Sequence, residues 1–236
     1  MLMQRRRRMV LVAVILIGTL GWVVVKEWPN LPLIPPDSQS QQSELASGSG
    51  EVARDALTAL PTKGRAPKTG YKRSQFGDSW AKAGGCDTRN VILRRDLANA
   101  VLGDDNCKVQ AGALSDPYTG QRIAFKRGAN SSGAVQIDHV VALSNAWQTG
   151  AQQLSSEQRI SLANDPLELL AVDGPANQQK GDGDAATWLP SNKPFRCQYI
   201  ARQIAVKKKY SLWVTPPERT AMERILASCP EQRLPA

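Results

Sequence analysis

The chain of 236 residues contains one histidine, His139. Any site that needs two imidazoles is therefore excluded, including the H-E-x-x-H zinc sites. A mechanism that needs a histidine base must use this residue. The four cysteines, Cys86, Cys107, Cys197 and Cys229, include no C-x-x-C. Zinc ligands usually come as close pairs, so this spacing argues against zinc. No glycine-rich phosphate loop and no internal repeat are present. Aromatic and basic residues do not interleave in the manner of a single-strand binder.

What is present begins with charge. The formal net charge is +9. Part of it is local, in Arg5, Arg6, Arg7 and Arg8. From Tyr71 onward 21 Lys+Arg stand against 16 Asp+Glu, which leaves the body at +5. A basic body favours polyanionic partners such as nucleic acid or anionic lipid, though charge alone is a weak signal. With 42% apolar and 22% charged residues the composition is ordinary for a globular protein.

Met9 to Val25 is an uncharged run of 17 residues. As a helix it spans about 26 Å, close to a hydrocarbon core of roughly 30 Å. This predicts one N-terminal transmembrane helix over residues 9–28 behind a cytoplasmic basic tail, 1–8. The preceding arginines place the rest of the chain outside the cytoplasm. A cleaved signal peptide is the rival, disfavoured because no A-x-A site follows Val25. Both readings export the body. In an oxidising compartment the natural pairing is Cys86–Cys107 and Cys197–Cys229. Four cysteines allow three connectivities, and four buried thiols are the alternative.

Residues 29–70 have the Pro, Ser, Gln and Gly content of a linker, with one short helix expected over Glu51–Leu60. The folded body is expected over 71–236. Its pattern predicts a helix from about Arg89 to Asn99, capped by Thr88 or Asp87. A hairpin follows, Cys107–Leu114 and Gln121–Lys126 around SDPYTG. Strands are expected at Val135–Val141 and Leu167–Val172. Helices are expected from Ser155 or Ser156 to Asn164, from Gly174-Pro175, over Pro194–Tyr210, and over Pro216–Ser228 after the cap Thr215. The fold class is α+β.

The chemistry gathers in VQIDHVVALSNAW. Asp138 and His139 interrupt an apolar strand at its end. Neighbours on a strand point to opposite faces, so both serve one site only if the strand twists or ends there. GPANQQKGDGD follows some 35–40 residues on and opens a helix. Strand, strand and helix, with Asp-His at one end and Asn at the other, is the layout of a ββα-metal finger. The segments YKRSQFGDSW, GCDTRN, DPYTG, IDHVVALSNAWQTGA, ANDPLELLAV, GPANQQKGD and WLP resemble one branch of the HNH, or His-Me finger, endonucleases. That branch is the C-terminal nuclease domain of GmrSD-type restriction enzymes and its exported single-domain relatives. The resemblance runs from about Tyr71 to Cys229.

The resemblance implies that Asp138 and Asn177 hold a divalent metal and that His139 is the general base. Oxygen donors suit Mg²⁺ or Mn²⁺ better than Zn²⁺. Lys180, one turn after Asn177, would hold a phosphate as a point charge, and Arg89 would support substrate binding. One departure stands out. The family expects asparagine near Glu168, in an N-D-P-x-N-L context, to orient the histidine loop. An ionised Glu168 accepts but cannot donate, and would raise the pKa of His139. Asn164 is the other orienting candidate.

Plainer roles compete with several of these. Asn177 is equally a helix-start residue, and Asp182 and Asp184 suit a solvated turn. Lys207, Lys208 and Lys209 complement a helix dipole. Trp80, Trp147, Trp188 and Trp213 suit core or rim better than base stacking. The function implied is an exported, membrane-tethered nuclease acting on DNA or RNA. A nucleic-acid-binding module of weak activity and a structural cell-envelope protein are the alternatives.

Overall fold

The computed structural model describes residues 50–235. The basic tail 1–8, the span 9–28 and linker residues 29–49 lie outside the described residues. Among the described residues no helix is long and apolar enough to cross a membrane.

The expected short helix forms as α1, Ala53–Ala59. It does more than the linker composition of residues 29–70 implied. Ala53, Ala56 and Leu57 are buried in the main core. Lys63 N donates to Val214 O and Ala66 N to Gln148 O. The segment 51–66 therefore packs on the body, which a count of Pro, Gly and Ser cannot reveal.

A short hairpin, β1 (Lys82–Ala83) and β2 (Cys86–Asp87), leads into α2, Thr88–Asp96. Asp87 caps α2 by accepting from Asn90 N. The helix ends three residues earlier than its apolar spacing suggested. Leu97 enters β3, Leu97–Leu102, and pairs with Leu114. Asn99 sits at φ 53, which a helix cannot hold. β3 pairs antiparallel with β4, Val109–Ser115, and β4 with β5, Arg122–Lys126. The expected hairpin is thus two strands of a three-stranded sheet. Val101, counted toward the helix face, is exposed.

β6, Val135–His139, pairs antiparallel with β7, Leu169–Asp173, and Asp138 lies opposite Leu170. Asp173 then caps α5, Gly174–Lys180, by accepting from Ala176 N, with Pro175 in the first turn. These three elements form the ββα unit that the motif order anticipated. Gly174 is required there, because a Cβ would lie 2.1 Å from Gly133 O. Between the two strands run α3, Leu143–Gln148, and α4, Ser156–Asn164. α3 was not anticipated, since all six of its residues are buried and it shows no polar face. α4 opens on a capping box of Ser155 and Gln158.

The chain closes with α6, Arg196–Lys209, and α7, Pro216–Leu226, the latter capped by Thr215 and Glu218. Lys207 is fully buried against Glu218 at 3.0 Å, so it belongs to the core and not to a solvated basic run. β7 lies between two cores. Leu170 and Val172 face the larger one, with α1, α4, α6 and α7. Leu169 and Ala171 face the smaller one, with Ile92, Leu93, Leu114 and Phe125. The strand is buried on both sides, which fixes its register.

Both disulfides form as Cys86–Cys107 and Cys197–Cys229, and no described cysteine is free. They close loops with separations of 21 and 32 residues. Chain entropy makes each worth roughly 3 kcal/mol. Thiol titration of the denatured, unreduced protein is expected to find none. Paired Cys86→Ser and Cys107→Ser changes should lower chemical stability by that amount, and an unchanged denaturation midpoint would count against the bridge.

Candidate active site

β6 ends at His139, and that ending resolves the opposite-faces problem. Asp138 and His139 point to different sides of the strand, yet both border one polar cavity of about 350 Å³. Asp138 is turned inward. Its Oδ1 accepts from Lys180 Nζ at 2.9 Å, and its Oδ2 accepts from the Tyr118 hydroxyl. Lys180 Nζ also donates to His139 O at 2.8 Å. The lysine side chain has no exposure at all. Burial pushes the Asp138 carboxyl above its ordinary value, while Lys180 and Tyr118 pull it back down. Removing one partner of such a buried pair typically costs about 3–5 kcal/mol.

His139 is held on its other side. Its Nε2 lies 3.0 Å from Ala163 O. A carbonyl oxygen can only accept, so Nε2 carries the hydrogen and Nδ1 keeps its lone pair. The ring stacks on Trp80, with planes 6° apart and centroids at 5.6 Å. Burial, and next the Arg73 charge, lower the imidazole pKa to about 3. The ring is neutral at physiological pH, which is the state a proton acceptor needs.

Glu168 stands where the family pattern expects asparagine. It is fully buried, and its Oε2 accepts from Val141 N at 3.2 Å. Its own carbonyl accepts from Val140 N at 2.9 Å. Side chain and backbone together grip the two residues after His139. Oε1 has no partner. Burial pushes the Glu168 carboxyl well above the usual carboxylate range, which favours its neutral form. The upward pull on His139 expected of an ionised Glu168 is not among the influences on the ring, whose pKa burial and Arg73 lower. Asn164 makes no hydrogen bond to the imidazole. Its Oδ1 accepts from Ala81 N at 2.9 Å, and the ring's hydrogen bond goes to the preceding residue's carbonyl.

Asn177 comes to the same cavity as Asp138 and His139. Its Nδ2 donates to Gln136 Oε1 at 2.9 Å, which leaves Oδ1 available. Asp138 keeps spare lone pairs on both oxygens. The donor set thus fits a hard cation that keeps most of its water, as Mg²⁺ does with one or two protein oxygens. Among the described residues no cluster of three or more His, Cys, Asp or Glu side chains is arranged to hold a metal. Asp182, also at this cavity, accepts from Ser144 Oγ and Lys68 Nζ, each at 3.1 Å.

Two expected substrate contacts sit elsewhere. Lys180 is spent inside the protein. Arg89 lies on α2 beside Asp87 and Arg127 and lines neither cavity at His139. The structure adds Tyr118, Trp80, Arg73 and Gln136. DPYTG reads as a turn, and nothing local shows that its tyrosine reaches a carboxylate 20 residues on.

The chain matches the family described as GmrSD restriction endonucleases, C-terminal domain, over residues 87–225. It belongs to that family. An "Uncharacterized secreted protein" of Arthroderma benhamiae is 36% identical over 183 residues, covering 77% of this chain and 86% of the relative. No solved structure matches.

Glu168 generates a test. Its pKa is raised by folding, so the neutral form stabilises the fold below the unfolded value, about 4.5. That contribution is lost as pH rises toward the folded value. Glu168→Gln keeps an acceptor for Val141 and does not titrate. Its melting temperature relative to the native chain is expected to rise between pH 4 and pH 8. A difference independent of pH would show that Glu168 is not held neutral.

Proposed function

We propose that this GmrSD C-terminal-domain protein is an exported nuclease that hydrolyses phosphodiester bonds of DNA, with RNA the alternative substrate, and with His139 as general base. One observation carries the reading. The only imidazole in the chain is neutral, with Nε2–H committed to Ala163 O and Nδ1 free, and it borders a cavity that Asp138 and Asn177 also line. Export is supported by the two disulfides and by the secreted relative. The apolar run at 9–28 would tether the domain to the membrane.

Asp138 and Asn177 would hold Mg²⁺ or Mn²⁺. A divalent ion there supplies charge stabilisation for the phosphate and the leaving oxygen. The remaining work falls to the protein. His139 Nδ1 accepts the proton of a water aimed at phosphorus. The Ala163 carbonyl and the Trp80 face fix the ring plane, so the lone pair needs no reorientation. Glu168 and Lys180 fix the backbone on either side of that ring, through Val141 N and His139 O.

Lys180 also supports a second reading, a nucleic-acid-binding module of weak activity. Its ammonium sits on Asp138 Oδ1, one of the oxygens a metal would use. Digestion of plasmid by the full chain in detergent separates the two. Cleavage is expected with Mg²⁺ and not with EDTA. His139→Ala should lower the rate by about 10²–10⁴-fold, the range for losing a general base. Cleavage that survives this change would sink the assignment of the base. Binding at low salt with no cleavage by the native chain would favour the second reading.

A further inference from the structure

His139 borders a second cavity, of about 210 Å³, that the chemistry above does not use. Its other walls include Arg73, Phe76, Trp80, Leu143 and Asn164. The wall from 73 to 80 is tied down at both ends. Arg159 Nε donates to Gln75 O at 3.1 Å, and Ala81 N donates to Asn164 Oδ1 at 2.9 Å. Gly77 makes the turn between them at φ +100, a conformation that favours glycine. The cavity is therefore built into the fold before any ligand arrives.

Two side chains in it stand out, one a guanidinium without a partner and the other an aromatic ring beside His139. Arg73 is exposed, borders both cavities, and among the described residues makes no ion pair or side-chain hydrogen bond. Trp80 is half-buried, unlike Trp147 and Trp213, which are core residues. Its ring runs parallel to the imidazole and so marks out a flat surface beside the base. An unpaired guanidinium and an aromatic plane in one cavity match a phosphate joined to a planar ring.

We propose that this cavity is a nucleotide subsite, in which Arg73 takes a backbone phosphate and Trp80 carries the base next to the bond being cut. The proposal rests on the reading that the chain acts on nucleic acid. It adds the substrate class. A base inside a duplex is stacked on its neighbours and is not free to lie on Trp80, so the preferred strand is single or locally opened. Every base has a π-face, so the subsite accepts any of the four.

The test uses the full chain in detergent and a fluorescein-labelled single-stranded oligonucleotide, its duplex, and versions carrying one abasic position. Binding is read by anisotropy in EDTA at low salt, and cleavage is then started with Mg²⁺. The single strand should bind the native chain at least ten-fold more tightly than the duplex. Trp80→Ala should weaken single-strand binding about ten-fold or more, the scale of one lost stacking contact, and Trp80→Phe should restore most of it. One abasic position beside the cut should weaken the native chain equally and leave Trp80→Ala unaffected. Arg73→Gln should weaken both single strand and duplex and flatten the salt dependence. Cleavage with no sensitivity to Trp80, Arg73 or abasic position would overturn the subsite and leave the nuclease reading standing. Trp80-dependent binding without cleavage would do the reverse. No binding to either strand would overturn both.

Discussion

The ammonium of Lys180 has no path to water, and the site is arranged around that fact. A buried cation is tolerable only when its charge and its hydrogens are answered nearby. Asp138 answers the charge, and the His139 carbonyl takes a second hydrogen. Tyr118 then covers the other oxygen of Asp138. The result is a cross-brace from the last residue of α5 to the last two residues of β6. It sets where β6 stops, and with it the step in the chain that lets Asp138 and His139 border one cavity.

Around that brace the protein assigns protonation states by burial. Burial raises the pKa of Asp138, and Lys180 and Tyr118 oppose that rise. Glu168 lacks a cation in contact, and burial drives its pKa well up. His139 lacks a carboxylate in contact and is driven neutral, with Arg73 adding to the effect. Two groups that differ in charge type are thus pushed toward their uncharged forms for the same physical reason, the cost of an ion in a low-dielectric interior. Glu168 grips the loop after His139 through its side chain and its carbonyl, accepting from Val141 N and Val140 N.

Much of this was legible in the sequence, and the failures share a cause. Asp138, His139 and Asn177, which motif order singles out, line one cavity in the structure, and the β6–β7–α5 order follows from the same segments. The two disulfides followed from spacing and export. Contacts between distant segments were not legible. Tyr118 looked like a turn residue, Trp80 like a rim residue, and Lys180 like a phosphate ligand, because only the fold shows what each side chain meets. The helix read through Asn99 failed for a local reason. Val101 and Leu102 suit a strand as well as a helix face, and pairing with β4 decided between them. α1 was expected as a helix, but its docking was not, because three small or medium apolar residues in a linker-like stretch suffice to dock it.

The central claim is that His139 is a neutral, Nε2-protonated ring whose Nδ1 waits as the proton acceptor. Because the chain has one histidine, selective ¹⁵N-histidine labelling reports this ring alone. In metal-free protein the nitrogen shifts are expected to show the Nε2–H tautomer unchanged from pH 8 down to pH 5, in keeping with a pKa of about 3. A ring that titrates near 6.5, or one that carries its hydrogen on Nδ1, would contradict the account.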